Sequence, residues 1–379
     1  MDAKSGLEGE RFHGLDALRA SLMALGVLLH VACSFQLGEP DGGWPYRDSQ
    51  QSLLATLLVV SIHFVRMPLF FVLSGFFCAH MVARRGVRGF VADRCRRIAL
   101  PLAVGWVLLT PIVGFAFSYA ISVQRGSDPH GAVTLVKPLP DGPAHLWFLY
   151  YLLLLCGLAA LACALPKALR ARWRALCQRV LSSRARGFAL WLLLASAMLT
   201  MSGPSLETPS GFAPNLSVLA AYGTCFGAGW QLRSVPGFVA GAQRGITWRL
   251  GLGTLALLAS TVGVLVWYGR QRDGADSVPV FVLTQLAGAA AVWLCAFGLI
   301  GAFERWLGRP GIWLRHAADA SYWAYLVHLP IAVFAAVLLR PWDAGALSKL
   351  ALASLATFFL SWASFVAVRA VIPVRKPTA

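Results

Sequence analysis

Residues 15–35 read LDALRASLMALGVLLHVACSF. The stretch is apolar and long enough to cross a bilayer as a helix, yet Arg19 stands near one end and His30 near its middle. They lie eleven positions apart. Three α-helical turns take about 10.8 residues, so both side chains fall on one face, about 16 Å apart along the axis. Ionisable groups in hydrocarbon are costly and are kept where they have a use. Taken singly, Arg19 can snorkel to the headgroups and His30 can bond to a neighbouring helix. Together on one face they point to a polar path from the inner surface to the bilayer middle.

The rest of the composition agrees with a membrane setting. The chain has 379 residues, 58% of them hydrophobic, a mean hydropathy of +0.66 and only 13% charge. That charge is about half of what a soluble chain carries. The expectation is an all-α polytopic membrane protein, one membrane-embedded domain over 1–379 with short cytoplasmic tails at 1–15 and 371–379. Asp2, Glu8 and Glu10 stand where a signal peptide would be basic, and no cleavage pattern follows. Ten spans are expected: 16–37, 53–81, 98–122, 145–166, 188–203, 214–232, 249–268, 280–303, 320–339 and 349–370. The fifth is short and interrupted at Gly203-Pro204, which leaves nine or eleven open.

A net charge of +17 invites a nucleic-acid reading, but its distribution argues for topology. Arg84, Arg85, Arg88, Arg94, Arg96 and Arg97 lie in one loop, and Lys167, Arg170, Arg172, Arg174, Arg179, Arg184 and Arg186 in another. Basic clusters in alternate loops are the positive-inside signal and imply N-in, C-in. They also attract anionic lipid or an anionic ligand. Residues 167–186 can form a basic amphipathic helix on the inner surface, with Leu169, Trp173, Leu176 and Val180 on one side. The outer loops, 38–52 and 123–144 among them, are rich in Gly, Pro and Asp and read as turns. The eight cysteines show no pairing or metal-ligand spacing, so neither a disulfide framework nor a metal site is expected.

The second span carries the next unusual group. His63, Arg66, Phe70 and Ser74 fall at i, i+3, i+7 and i+11 and share a face. Arg66 lies too deep to snorkel and needs an acceptor, a carboxylate, carbonyls, water or a ligand anion. Pro68 frees the carbonyl of Phe64 and lets the helix bend. The fourth span opens with His145 and Trp147, and the ninth places Tyr325 one turn before His328, with Pro330 beyond. No Asp or Glu lies in the middle of a span, against the intramembrane carboxylates of most ion-coupled transporters. Histidine suits base catalysis on a hydroxyl and arginine suits recognition of anions.

These residues resemble the integral-membrane acyltransferase-3 family, marked by an Arg, ten residues and a His in the first span, here Arg19 and His30. Further matches are RMPLFFVLSGFF (66–77), DRCRRIALP (93–101), HLWFLYYLL (145–153) and YLVHLPI (325–331). IHFVRM (62–67) is similar to the branch that succinylates osmoregulated periplasmic glucans. The resemblance implies a multi-pass protein of the bacterial inner membrane that moves an acyl group from cytoplasmic acyl-CoA to a hydroxyl of an extracytoplasmic glycan. It implies a catalytic His30 and an essential Arg19, with Arg66 and His328 bordering the site. Many relatives carry a fused extracytoplasmic hydrolase-like domain, and none is expected here.

The expected chemistry is direct transfer from succinyl-CoA or acetyl-CoA, with no permanently bound cofactor. His30 acts as base, with His63 and His328 as the other candidates. Arg66 stabilises the oxyanion or holds a donor carboxylate. Arg19, Arg94, Arg96 and Arg97 receive the CoA phosphates, and Ser74, His145, Trp147 and Tyr325 line the substrate path. An acyl-His or acyl-Ser74 intermediate is the less favoured route. Expected partners are the bilayer, acyl-CoA and the glycan, and not nucleic acid. A homo-oligomer stays open. The alternative function is a carrier or flippase for an anionic or sugar-linked lipid, and a third reading is a non-catalytic subunit of glycan assembly.

Overall fold

The computed structural model describes residues 12–40, 43–127, 142–183, 185–209, 211–235, 237–309 and 311–371. Most of the expected tails and of the 123–144 loop lie outside the described residues, as does Arg184. The described residues form α-helices with short π and 3-10 turns and no strand. The protein is an all-α polytopic membrane protein. Its helices are α1 (His13–Ala32), α2 (Leu53–Arg94), α3 (Leu100–Arg125), α4 (Trp147–Ala164), α5 (Lys167–Ser182), α6 (Arg186–Met198), α7 (Leu216–Leu232), α8 (Phe238–Ala242), α9 (Ile246–Arg272), α10 (Val278–Leu307), α11 (Ile312–Leu338) and α12 (Ala346–Val371).

Seven helical stretches among the described residues are long and apolar enough to cross a membrane. One of them, Leu53–Arg125, runs 73 residues through α2, a π-turn and α3. At about 1.5 Å per residue that is more than two bilayer cores can use in a straight line, and Gly86, at φ 68°, breaks α2. Each of the ten segments expected from hydropathy falls on a helix. The fifth is a 13-residue helix that ends at Met198, before the Gly203-Pro204 pair. At about 20 Å it falls short of the about 30 Å hydrocarbon core. The sixth, α7, has 17 residues.

The chain divides into two compact units. The first comprises Met1–Leu18, His63–Val104 and Asp141–Pro310. Its helices meet through glycines. A Cβ on Gly75 would run into the Phe226 carbonyl, and one on Gly229 into that of Val72, so α2 and α7 cross with backbones in contact. Gly75 is the glycine of the SGFF motif, and this close approach is its reason. Where α9 packs on α10, Gly253 leaves room for the Cys295 thiol and Gly263 for the Thr284 side chain. Small residues at such crossings are the rule where lipid, not water, surrounds the helices.

The second unit comprises Arg19–Ile62, Gly105–Pro140 and Gly311–Ala379. Its core gathers Leu29 and Val31 from the end of α1, Phe35 from the turn after it, Val113, Ala116 and Ala120 of α3, and Leu329, Val333 and Val337 of α11. On α12 the buried residues are Ala346, Lys349, Leu350, Ala353, Ser354, Thr357 and Ser361, most of them small or polar, while Leu352, Leu355, Phe359, Trp362 and Val366 are exposed. That is the inverse of a soluble amphipathic helix and fits an outer face turned to lipid.

Candidate active site

In the second unit His30 sits in the last turn of α1. Its ring lies 5.1 Å from that of His328, tilted by 44°, and 5.8 Å from Trp44, nearly parallel at 20°. Tyr325 follows, its ring 6.3 Å from His328. His328 Nδ1 approaches the carbonyl oxygens of Ala324 at 2.9 Å and Tyr325 at 2.8 Å. His30, Tyr325 and His328 therefore come together, whereas Arg19, on the same helix as His30, is exposed.

Trp44 belongs to the 38–52 loop, which is more than a turn. Trp44, Tyr46, Arg47 and Asp48 are all buried. Trp44 Nε1 donates to Ser34 Oγ at 2.9 Å, and Arg47 Nη1 donates to the carbonyls of Cys33, Trp44 and Tyr46. The anchor is an ion pair between Lys349 Nζ and Asp48, at 3.0 and 3.1 Å, with both side chains 1% exposed or less. Tyr46 donates its hydroxyl to Asp48 Oδ2 at 3.1 Å. Burial first, and the Asp48 carboxylate second, hold the Tyr46 phenol well above the usual tyrosine range, so it stays a donor. Hydropathy reads this segment as polar. Its burial depends on a lysine 301 residues away.

In the first unit α2 presents His63, Arg66 and Ser74, each half-buried. His63 Nε2 lies 2.5 Å from the Leu206 carbonyl oxygen, so that nitrogen carries the proton and Nδ1 the lone pair. Phe70 and Phe71 pack on Phe148 of α4, at 5.5 and 5.1 Å. Phe71 also stacks on Tyr222 at 4.6 Å, and Trp147 packs on Tyr222 at 5.5 Å. Tyr222 is fully buried, within electrostatic reach of Arg66, and its hydroxyl has no hydrogen-bond partner among the described residues. It is a candidate site residue that sequence reasoning missed, because a tyrosine in an apolar helix gives no signal by itself. His145 lies in a 3-10 turn before α4, next to Ala144, which has the left-handed φ of 48°.

The arginines of DRCRRIALP form a cluster around one acid. Asp93 is buried and meets Arg94 at 2.6 Å, Arg97 at 3.1 Å and Arg85 at 3.9 Å. Arg94 also lies 5.8 Å over the Phe90 ring, while Arg96 and Arg97 are exposed. Asp93 thus aligns the arginines and leaves the cluster with a positive excess suited to a polyanion. Among the described residues, no group of three or more His, Cys, Asp or Glu is placed to hold a metal ion.

His30 and His328 thus lie close together within one unit of an apolar multi-helix fold, and an arginine cluster stands beside a π-turn in the other. Residues 12–366 match the family described as an acyltransferase domain, and the chain belongs to that family. It is similar to glucans biosynthesis protein C of Escherichia coli strains SMS-3-5, O6:K15:H31 and K12, 29% identical over 154 residues in each case. That match takes in 39% of this chain and 38% of the relative's length. No solved structure matches the chain at a significant level.

Proposed function

We propose that this membrane acyltransferase moves a succinyl or acetyl group from cytoplasmic acyl-CoA to a hydroxyl of an extracytoplasmic glycan, a periplasmic glucan above all, in the bacterial inner membrane. The family supports acyl transfer, and the glucan acceptor rests on the similarity to glucans biosynthesis protein C of Escherichia coli. The single observation that carries the chemistry is the placement of His30, in an apolar helix, against His328 and Trp44.

In this reading His30 takes the proton of the acceptor hydroxyl as its oxygen attacks the thioester carbonyl. The C–S bond breaks, the thiolate leaves, and the proton passes from His30 to the thiolate sulfur. An ester and free CoA thiol result. In the first unit, Arg66 with the Tyr222 hydroxyl is assigned the recognition of an anionic part of the donor. The Arg94, Arg96 and Arg97 group is assigned the CoA phosphates, with Arg19 as a further cation on the donor side, and both termini are assigned to the cytoplasm. Purified protein given succinyl-CoA or acetyl-CoA and a glucan oligosaccharide tests the reading. Esterified glucan by mass spectrometry is the expected product, and donor that binds but never reacts favours the carrier.

A further inference from the structure

Around the break at Gly86, α2 carries two groups of cations, and only one of them holds an acid. In the first, Arg94 Nη2 reaches back to Met81 Sδ at 3.5 Å, and Arg85, Arg94 and Arg97 share the Asp93 carboxylate. One residue before Met81, His80 points about 100° away around the helix. Its Nδ1 lies 3.4 Å from Nε of Arg233, which stands just past the end of α7 and 153 residues on. Arg84, one turn further along α2, is within electrostatic reach of the same ring. Neither Arg84 nor Arg233 meets a carboxylate among the described residues. Two guanidinium groups gathered at one imidazole repel each other, and an anion between them removes that cost.

We propose that His80, Arg84 and Arg233 bind a phosphate monoester, the 3′-phosphate of the CoA donor; the inference rests on the acyl-CoA reading. A guanidinium only donates, so His80 Nδ1 is the acceptor and the hydrogen of the neutral ring sits on Nε2. Phe12 packs at right angles to this ring, with centres 6.0 Å apart, and limits its rotation. The group thus offers one imidazole N–H and the remaining N–H groups of two planar forks. A phosphate monoester at pH 7 carries about −1.5 to −2 charges and three acceptor oxygens, which two cations and three donor groups match. His80 and Arg233 are half-buried and Arg84 is exposed, so one edge of the group is open to a soluble ligand.

The CoA molecule has a single phosphate monoester, on the 3′ carbon of its ribose, and a diphosphate on the 5′ carbon of the same sugar. The two cation groups likewise meet α2 at adjacent residues, His80 and Met81. The Arg94, Arg96 and Arg97 group then keeps the diphosphate, whose charge is spread over two phosphorus centres, and the group with no acid takes the more concentrated charge.

The test is the affinity of purified full-length protein for CoA and for 3′-dephospho-CoA, which lacks only the monoester. The parent should bind CoA at least about ten-fold more tightly than the dephospho form, as the loss of charge-assisted bonds requires. Arg233→Ala and Arg84→Ala should each weaken CoA about ten-fold and the dephospho form less than about two-fold. Equal losses for both ligands overturn the proposal, as does a parent that binds both alike. Arg84 is exposed, so its variant decides the matter if Arg233→Ala does not fold. Nanodiscs of phosphatidylcholine with and without phosphatidic acid separate the two sources of a monoester. The preference for CoA should survive phosphatidic acid; its loss assigns the site to a lipid headgroup and overturns the proposal. A parent that binds neither CoA nor its dephospho form instead sinks the acyl-CoA reading, and the proposal with it.

Discussion

Replacing Lys349 by Met should destabilise the protein by about 3 kcal/mol, because it strands the Asp48 carboxylate in a dry site. The pair is closed to solvent, with side chains 1% and 0% exposed. Breaking one half of a buried pair costs about 3–5 kcal/mol, and what remains around the survivor sets the place within that range. After Lys349→Met, Asp48 keeps the Tyr46 hydroxyl and the Gln50 amide, at 3.1 and 2.9 Å, so the cost falls at the lower end. After Asp48→Asn, the ammonium keeps the Arg340 carbonyl at 3.4 Å and a neutral amide oxygen, so the cost approaches about 5 kcal/mol. The double variant removes both charges of the pair and should return to within about 1 kcal/mol of the parent. Half-lives of thermal inactivation in mild detergent rank the four proteins without requiring reversible unfolding. Asp48 also bonds through its amide to the Ser34 carbonyl at 2.8 Å, so the single variants should loosen Trp44 from His30 and slow transfer. A Lys349→Met protein as durable as the parent, or a double variant no better than the worse single, would refute this reasoning.

Three further outcomes are expected. Arg66→Lys should be nearly as damaging to transfer as Arg66→Ala, because an ammonium cannot reproduce a planar fork; full activity in the Lys variant means that only charge matters there. Tyr222→Phe should leave thermal stability unchanged or raised, since its hydroxyl has no partner among the described residues, while transfer falls about ten-fold. A stability loss above about 1 kcal/mol shows instead that the hydroxyl is bonded in the folded protein. Cysteine-accessibility labelling should find 84–97 and 167–187 on the cytoplasmic side and 123–144 outside, and outside labelling of 167–187 overturns the donor-side assignment.

Hydropathy located the helices, because a crossing helix must be apolar over most of its length whatever it packs against. The amphipathic reading of 167–186 matches α5, where Leu169, Trp173, Leu176 and Val180 are exposed. The Arg19 and His30 spacing pointed to one helix face, and α1 runs through both positions without a break. Long-range pairing left no such trace. The 38–52 loop looked like a turn because Pro, Gly and Asp carry only local information, whereas its burial depends on Lys349. Lys349 is only the first residue of the expected tenth span, 349–370. Nor does spacing show that His328 meets His30, since the two stand on helices at opposite ends of the chain. Asp93 was legible as part of a charged motif, but not that it is buried while it holds Arg94 and Arg97.

The measurement closest to the central claim is single-turnover acyl transfer by His30→Ala, made beside its affinity for the donor. A positioned general base contributes about 10²–10⁴-fold, so turnover should fall by that factor while acyl-CoA binds as it does to the parent. Arg19→Ala should show the opposite balance, with weaker donor binding and a smaller change in the chemical step. If His30→Ala chiefly abolishes binding, and the donor that still binds reacts at the parent rate, His30 is a ligand contact and the base lies elsewhere.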